Sequence, residues 1–232
     1  MKITNLDAVR DTALAFLHID ISETRFSPMV VHHPIFESGI VYHPISRKMV
    51  NILEDKAGLK DILNYYESKI MKSNDLIQIY MIIRASYRLT FVMYIKDDLS
   101  ADDFSNLLSD AWVSSENPNQ DVNVSLKQAA KMFRQADKKI LMDKDEYEVY
   151  ETLPEKFTVY RGVAVGRNPK GMSWTRNIET AEWFANRFNI GEDIGYVQAA
   201  TAYKKDVLAY FNSRDEDELV ISTESLHDIH TI

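Results

Sequence analysis

Cysteine is absent from this 232-residue sequence, which excludes disulfide scaffolds, thiolate nucleophiles and cysteine-ligated zinc or iron–sulfur centres. Its chemistry therefore uses oxygen, nitrogen or charge. Positive charge is in deficit: 27 Lys and Arg face 35 Asp and Glu, a net charge of −8. The chain thus has no general attraction to phosphate backbones or anionic lipid. Long uncharged apolar runs are missing as well. The most apolar stretch, Leu76 to Ile95, contains Arg84 and Arg88, and two guanidiniums at membrane depth argue for a buried helix and no membrane partner. Met1 to Phe16 carries Asp7, Arg10 and Asp11, so it lacks the apolar region of a secretory signal, and cytoplasmic residence is the expectation. No GxGxxG or Walker loop supports a Rossmann dehydrogenase or a P-loop ATPase. No internal repeat or low-complexity run stands out.

What is present reads as a folded chain. Hydrophobic residues at 45% and charged residues at 27% lie near globular values. Five of the seven glycines (Gly162, Gly166, Gly171, Gly191 and Gly195) fall late in the chain, so composition changes near residue 150. Before that point apolar spacing and Ser or Asn starts predict helices at Leu6 to Leu17, Ser46 to Glu54, Leu59 to Lys72 and Asp75 to Ile95. A further helix starts at Ser100 and carries Phe104, Leu107, Leu108, Ala111 and Trp112. Another starts at Ser125, whose Gln128 completes a capping pattern, and Asn117-Pro118-Asn119 separates the two. Ile21 to Pro44, interrupted by Pro28 and Pro34, reads as loop. After Pro154, short strands are expected at Phe157–Tyr160, Met172–Thr175, Tyr196–Tyr203, Val207–Phe211 and Glu218–Ser222, with one helix at Ile178–Phe188. The fold class is α+β, with residues 1–150 helical and residues 151–232 carrying the strands.

Three short elements on those strands hold the candidate chemistry: Tyr160-Arg161-Gly162, Ser173-Trp174-Thr175 and Glu216-Asp217-Glu218. Singly they have ordinary readings as a surface ion-pair residue, a turn serine and a solvated acidic turn. Together they say more. On a strand, period-two alternation puts Glu216 and Glu218 on one face. Their repulsion calls for a cation or hydrogen-bond donors, which Arg161 and Ser173 supply from neighbouring strands. Such a constellation suits a cationic transition state. His32, His33 and His43 have no partner at ligand spacing, so no metal site is expected. Lys127, Lys131, Arg134, Lys138 and Lys139 form a basic strip that reads as a docking surface or as a solvated face.

On these motifs the last third of the chain resembles the mono-ADP-ribosyltransferases of the arginine-serine-glutamate class, related to bacterial toxins and phage-encoded enzymes. The resemblance implies a small mixed β-sandwich core at residues 151–232, with the helices of residues 1–150 packed on it and helping to build the NAD cleft or bind a partner. NAD is then the substrate. Arg161 grips its phosphates beside Gly162, Ser173 braces the catalytic glutamate and the nicotinamide ribose, and Thr175 fills the third position of the serine strand. Glu218 is catalytic and Glu216 accompanies arginine as acceptor. Trp174 departs from the family pattern and, by alternation, is expected in the core. Phe188, at the end of the strand-side helix, is a candidate to stack on the nicotinamide ring.

The charge chemistry leads to the same roles. Cleaving the nicotinamide–ribose bond builds positive charge on the sugar, which a fixed carboxylate stabilises best where water is excluded. An incoming guanidinium must shed a proton, and a second carboxylate can take it. The expected function is transfer of ADP-ribose to a macromolecular acceptor, a protein arginine before nucleic acid, by a toxin or phage effector with a neutralising protein such as an antitoxin as partner. NAD hydrolysis, RNA or DNA modification, and a non-catalytic interaction protein remain as alternatives.

Overall fold

Residues 2–232 are described by the computed structural model, and they separate into two units at Ser100 and Ala101. That division falls well ahead of the boundary expected from composition near residue 150. The first unit runs α1 (Leu6–Leu17), β1 (Ser22–Glu23), β2 (Val31–His32), β3 (Ile40–Tyr42), β4 (Met49–Asn51), α2 (Lys56–Lys72), α3 (Leu76–Tyr80) and α4 (Ala85–Ile95). Asn5 caps α1 through the Ala8 N–H, and Asp55 caps α2 through the Gly58 N–H, satisfying donors that a helix start leaves orphaned. Val9, Ala13, Leu17, Ile62, Ile70, Phe91 and Ile95 are buried between the helices.

Three sequence-based expectations fail in this unit. Ile21 to Pro44 holds strands, and Ser46 to Glu54 is no helix: β4 pairs antiparallel with β3 in the register Ile40↔Asn51, Val41↔Val50, Tyr42↔Met49. A twice-used turn shapes the segment. The ring Nδ1 of His33 accepts the N–H groups of Ile35 and Phe36, both at 3.1 Å. The ring Nδ1 of His43 does the same for Ile45 and Ser46 at 3.2 Å. Each histidine precedes Pro-Ile, so the His-Pro-Ile triplet recurs as a structural repeat. The long helix expected over Asp75–Ile95 is broken into α3 and α4. Arg84 explains the break: its N–H donates to the Pro34 carbonyl at 2.9 Å, and its Nη1 donates to the carbonyls of His33 and Phe36 at 3.2 and 3.1 Å.

The second unit runs α5 (Ala101–Ser114), α6 (Leu126–Gln135), α7 (Lys138–Leu141), α8 (Lys144–Glu151), β5 (Lys156–Val163), β6 (Ser173–Thr175), α9 (Ile178–Asn186), β7 (Tyr196–Tyr203), β8 (Val207–Phe211), β9 (Glu218–Ile221) and β10 (His227–Thr231). In place of the mixed sandwich expected, its strands form one six-stranded sheet in the order β10-β7-β5-β6-β9-β8. Every neighbouring pair is antiparallel. The middle of the sheet is thin. β5 pairs with β7 along its whole length, Lys156↔Tyr203 to Val163↔Tyr196, yet meets β6 only at Tyr160↔Thr175. β8 and β9 are buried at every residue, with α6, α7 and α8 against β8, which is why both read as unbroken apolar runs. These contacts bind α6, α7 and α8 to the sheet, and α5 joins them by packing on α7.

On the other half of the sheet, α9 crosses β5 and β7. Gly162 permits this: a Cβ there would lie 2.0 Å from the Ala181 carbonyl oxygen and 2.6 Å from the Ala185 nitrogen. The backbone that approaches Gly162 is therefore that of α9. Trp174 is buried as expected and donates its indole N–H to the Gly171 carbonyl at 3.1 Å.

Candidate active site

β5, β6, α9 and the turn before β9 enclose a cleft of about 790 Å³ including its open mouth. Arg161, Gly162, Ser173, Thr175, Phe188, Glu216 and Glu218, the site residues expected from sequence, all line it. Register does much of this work. Thr175 stands opposite Tyr160 on one side and Glu218 on the other, so the first residue of β9 is delivered beside the last residue of β6. The Thr175 hydroxyl is occupied locally, accepting the Asn177 N–H at 3.1 Å ahead of α9.

Glu218 is buried, and Trp112 of α5 donates its indole N–H to Oε1 at 3.0 Å. The Ser173 hydroxyl also acts on this carboxylate, favouring its ionised form. Burial pushes the Glu218 carboxyl up from its ordinary value, Ser173, Trp112 and the charge of Arg214 pull it back, and Glu216 adds to the rise. The result is a dehydrated carboxylate, donated to by Trp112, at the edge of the cleft, the kind of group whose charge acts strongly on a nearby cation.

Glu216 reaches the same cleft by a route that alternation does not describe. It lies in the turn before β9, between Asp215 and Asp217, whose φ angles of 57° and 47° are left-handed. Asn212 holds this turn, its carbonyl accepting the Asp215 N–H and its side-chain oxygen the Asp217 N–H, both at 2.9 Å. Two left-handed aspartates cost backbone energy, a feature of constrained functional turns. Arg214 donates to Glu216 Oε2 at 2.8 Å, so a guanidinium from the chain itself already lies on this carboxylate.

Arg161 is committed to the protein backbone. Its Nη1 donates to the Ser173 carbonyl at 2.6 Å and its Nη2 to the Asn168 carbonyl at 2.9 Å. Gly171 leaves the space, since a Cβ there would sit 2.1 Å from Nη2. Only Nε is buried without a partner. Burial lowers the guanidinium to about 10, against the opposing pull of Glu218, so it stays charged at neutral pH. Sequence reasoning missed two further cations of the cleft, Arg167 and Arg187. Both guanidiniums lie over the Phe188 ring, at 5.0 and 5.2 Å from its centroid. Phe188 is thus a platform for arginines, which differs from the free stacking surface expected. Arg187 also pairs with exposed Glu116 at 3.7 Å.

Also absent from the sequence-based set is Asn119, in the short turn after α5. Its Nδ2 donates to the Ser173 hydroxyl oxygen at 2.8 Å, and its Oδ1 accepts the Met172 N–H. Trp112 and Asn119 were visible in sequence only as a core aromatic and a helix breaker. Of the basic strip, Lys138 is engaged internally with the Tyr150 hydroxyl and the Val207 carbonyl at 2.6 and 2.7 Å, whereas Lys127, Lys131 and Arg134 are exposed. Among the described residues no group of three or more His, Asp or Glu side chains is placed to hold a metal ion, and no helix is long and apolar enough to cross a membrane. Comparison with known proteins yields no match to a family model, a curated protein or a solved structure.

Proposed function

We propose that this cleft binds NAD and that the protein transfers ADP-ribose to a macromolecular acceptor, a protein arginine in the first instance. The observation that carries the reading is the buried Glu218 carboxylate, held by Trp112 and acted on by Ser173 at the edge of a cleft that also presents Glu216 and several arginines. Such a charge favours a ribosyl cation over neutral NAD-bound ribose and so lowers the barrier to losing nicotinamide. Glu216 then receives the proton of the attacking guanidinium. In this proposal Arg167 and Arg187 meet the diphosphate, and Arg161 contributes its charge and its unpartnered Nε while fixing the strand that carries Ser173.

The resemblance extends the proposal to a toxin or phage effector held in check by a neutralising protein. A second reading, NAD hydrolysis, is favoured by the Arg214–Glu216 pair, which engages the acceptor-side carboxylate within the chain. Incubating the protein with lysate and labelled NAD, then separating protein, RNA and DNA, tests the readings together. Label on protein arginine supports transfer, label on nucleic acid moves the acceptor class, free ADP-ribose alone supports hydrolysis, and intact NAD removes all three.

A further inference from the structure

We infer that Trp112 and Asn119, on α5 and the turn that follows it, are positioning residues that act through Glu218 and Ser173, so that the segment 112–119 sets the state of the carboxylate. The inference rests on the reading of Glu218 as the reactive carboxylate.

The donor directions follow from elementary valence. A backbone N–H can only donate, so the Asn119 atom facing Met172 N is its oxygen and the atom facing Ser173 is its NH₂. The Ser173 hydroxyl therefore accepts from Asn119, which leaves its own single hydrogen free for Glu218, the carboxylate on which it acts. Trp112 is a donor only, and its N–H ends on Oε1 of the same carboxylate. Both donors favour the ionised form. The indole is fixed in turn by the Phe133 ring of α6, edge-on at 5.0 Å. The other charged groups facing Glu218 are Arg161 of β5, whose far side faces Tyr196 of β7, and Arg214 and Glu216 of the turn. None of them is altered by changing Trp112 or Asn119.

A purely packing role for both residues is the alternative, and two near-isosteric changes separate the cases. Trp112→Phe keeps an aromatic ring and deletes the N–H. Asn119→Asp keeps the shape, replaces the NH₂ donor with an acceptor, which draws the Ser173 hydrogen away from Glu218, and adds a negative charge, whose direct effect on Glu218 is separated from the relay because it persists in Ser173→Ala. The experiment is a carbon-13 NMR titration of the side-chain carboxyls in the full chain without NAD, with the Glu218 resonance assigned by its loss in Glu218→Gln. NAD cleavage is followed across pH in parallel. Each variant is expected to raise the Glu218 midpoint by about one pH unit, the equivalent of one charge-assisted hydrogen bond. The acid limb of kcat should move with it while KM for NAD holds. In Ser173→Ala the Asn119→Asp shift should shrink to that direct charge effect, because the relay runs through that hydroxyl. A midpoint unmoved in both variants overturns the inference, whatever the rates do. A moved midpoint in a protein that leaves NAD intact at every pH upholds the clamp and overturns the proposed function. Should Trp112→Phe fail to fold, Asn119→Asp with and without Ser173→Ala decides the matter alone.

Discussion

Arg161 on β5 holds the carbonyl of Ser173 on β6 at 2.6 Å, across the one place where these strands share a single residue pair. The sheet is thinnest there, and a side chain replaces the missing ladder bonds. The same serine acts through its hydroxyl on Glu218. Arginine and serine are thus joined mechanically, with the glutamate under their influence.

Arg161→Lys should consequently cost stability as well as nucleotide affinity. One ammonium cannot reproduce the fork that serves two half-buried carbonyls, and leaving an acceptor unpaired costs on the order of 1 kcal/mol. We expect a lower melting temperature together with weaker NAD binding by calorimetry. Arg167→Ala is expected to weaken NAD binding with little change in melting, since its guanidinium packs over the Phe188 ring. Equal melting of Arg161→Lys and wild type would remove the bracing role.

Glu218→Gln should abolish transfer and NAD cleavage, by a factor on the order of 10²–10³ or more, without lowering the melting temperature at neutral pH. The sign follows from the raised carboxyl: the folded state holds its proton more tightly than the unfolded chain, so ionised Glu218 works against folding at pH 7, and a neutral amide relieves that cost. Melting curves beside turnover check both halves.

Glu216→Gln should separate the two carboxylates. Acceptor labelling is expected to fall while slow release of ADP-ribose continues, because bond cleavage retains Glu218. Both products are measured in one tube. Labelling at the wild-type rate would detach Glu216 from the acceptor, and joint loss would make the carboxylates a single unit.

Gly162→Ala is expected to destabilise the second unit by at least about 2 kcal/mol, since the new methyl meets the α9 backbone and nothing flexible can yield. Urea denaturation measures it. A neutral result would mean that α9 does not sit against β5 as described.

His33 gives the first unit a pH dependence. Burial lowers it to about 4, and its Nε2 faces the Leu17 and Ile19 carbonyls without a well-formed bond. Between that value and 6.5 the unfolded chain binds the extra proton, so stability is full above about pH 6.5 and declines as pH falls toward 4, by up to about 3 kcal/mol. His33→Asn, whose side-chain oxygen can accept the same turn N–H groups and does not titrate, should show a flatter decline in denaturant midpoints over that window. Parallel declines would exclude His33 as the cause.

The amino-acid sequence by itself determined most of the second unit's elements and the arginine, serine and glutamate motifs that reach its cleft. Capping at Ser125 with Gln128, the apolar face of α5, the β-branched and aromatic strands and the scarcity of glycine outside its close approaches are all local signals, carried by neighbours along the chain. What it could not carry is anything set by a partner far along the chain. Ile21 to Glu54 became strands and turns where Arg84 reaches across to the carbonyls of His33 and Phe36, with the two histidine rings capping their own turns locally. Glu216 faces the cleft because two left-handed aspartates turn it there, where strand alternation gives the same answer for the wrong reason. Trp112 and Asn119 read as a core aromatic and a turn residue, and nothing local distinguishes a buried indole that donates to a carboxylate from one that only packs. That difference is a matter of direction in space, which folding alone sets, when α5 and the turn after it are laid against Glu218 and Ser173.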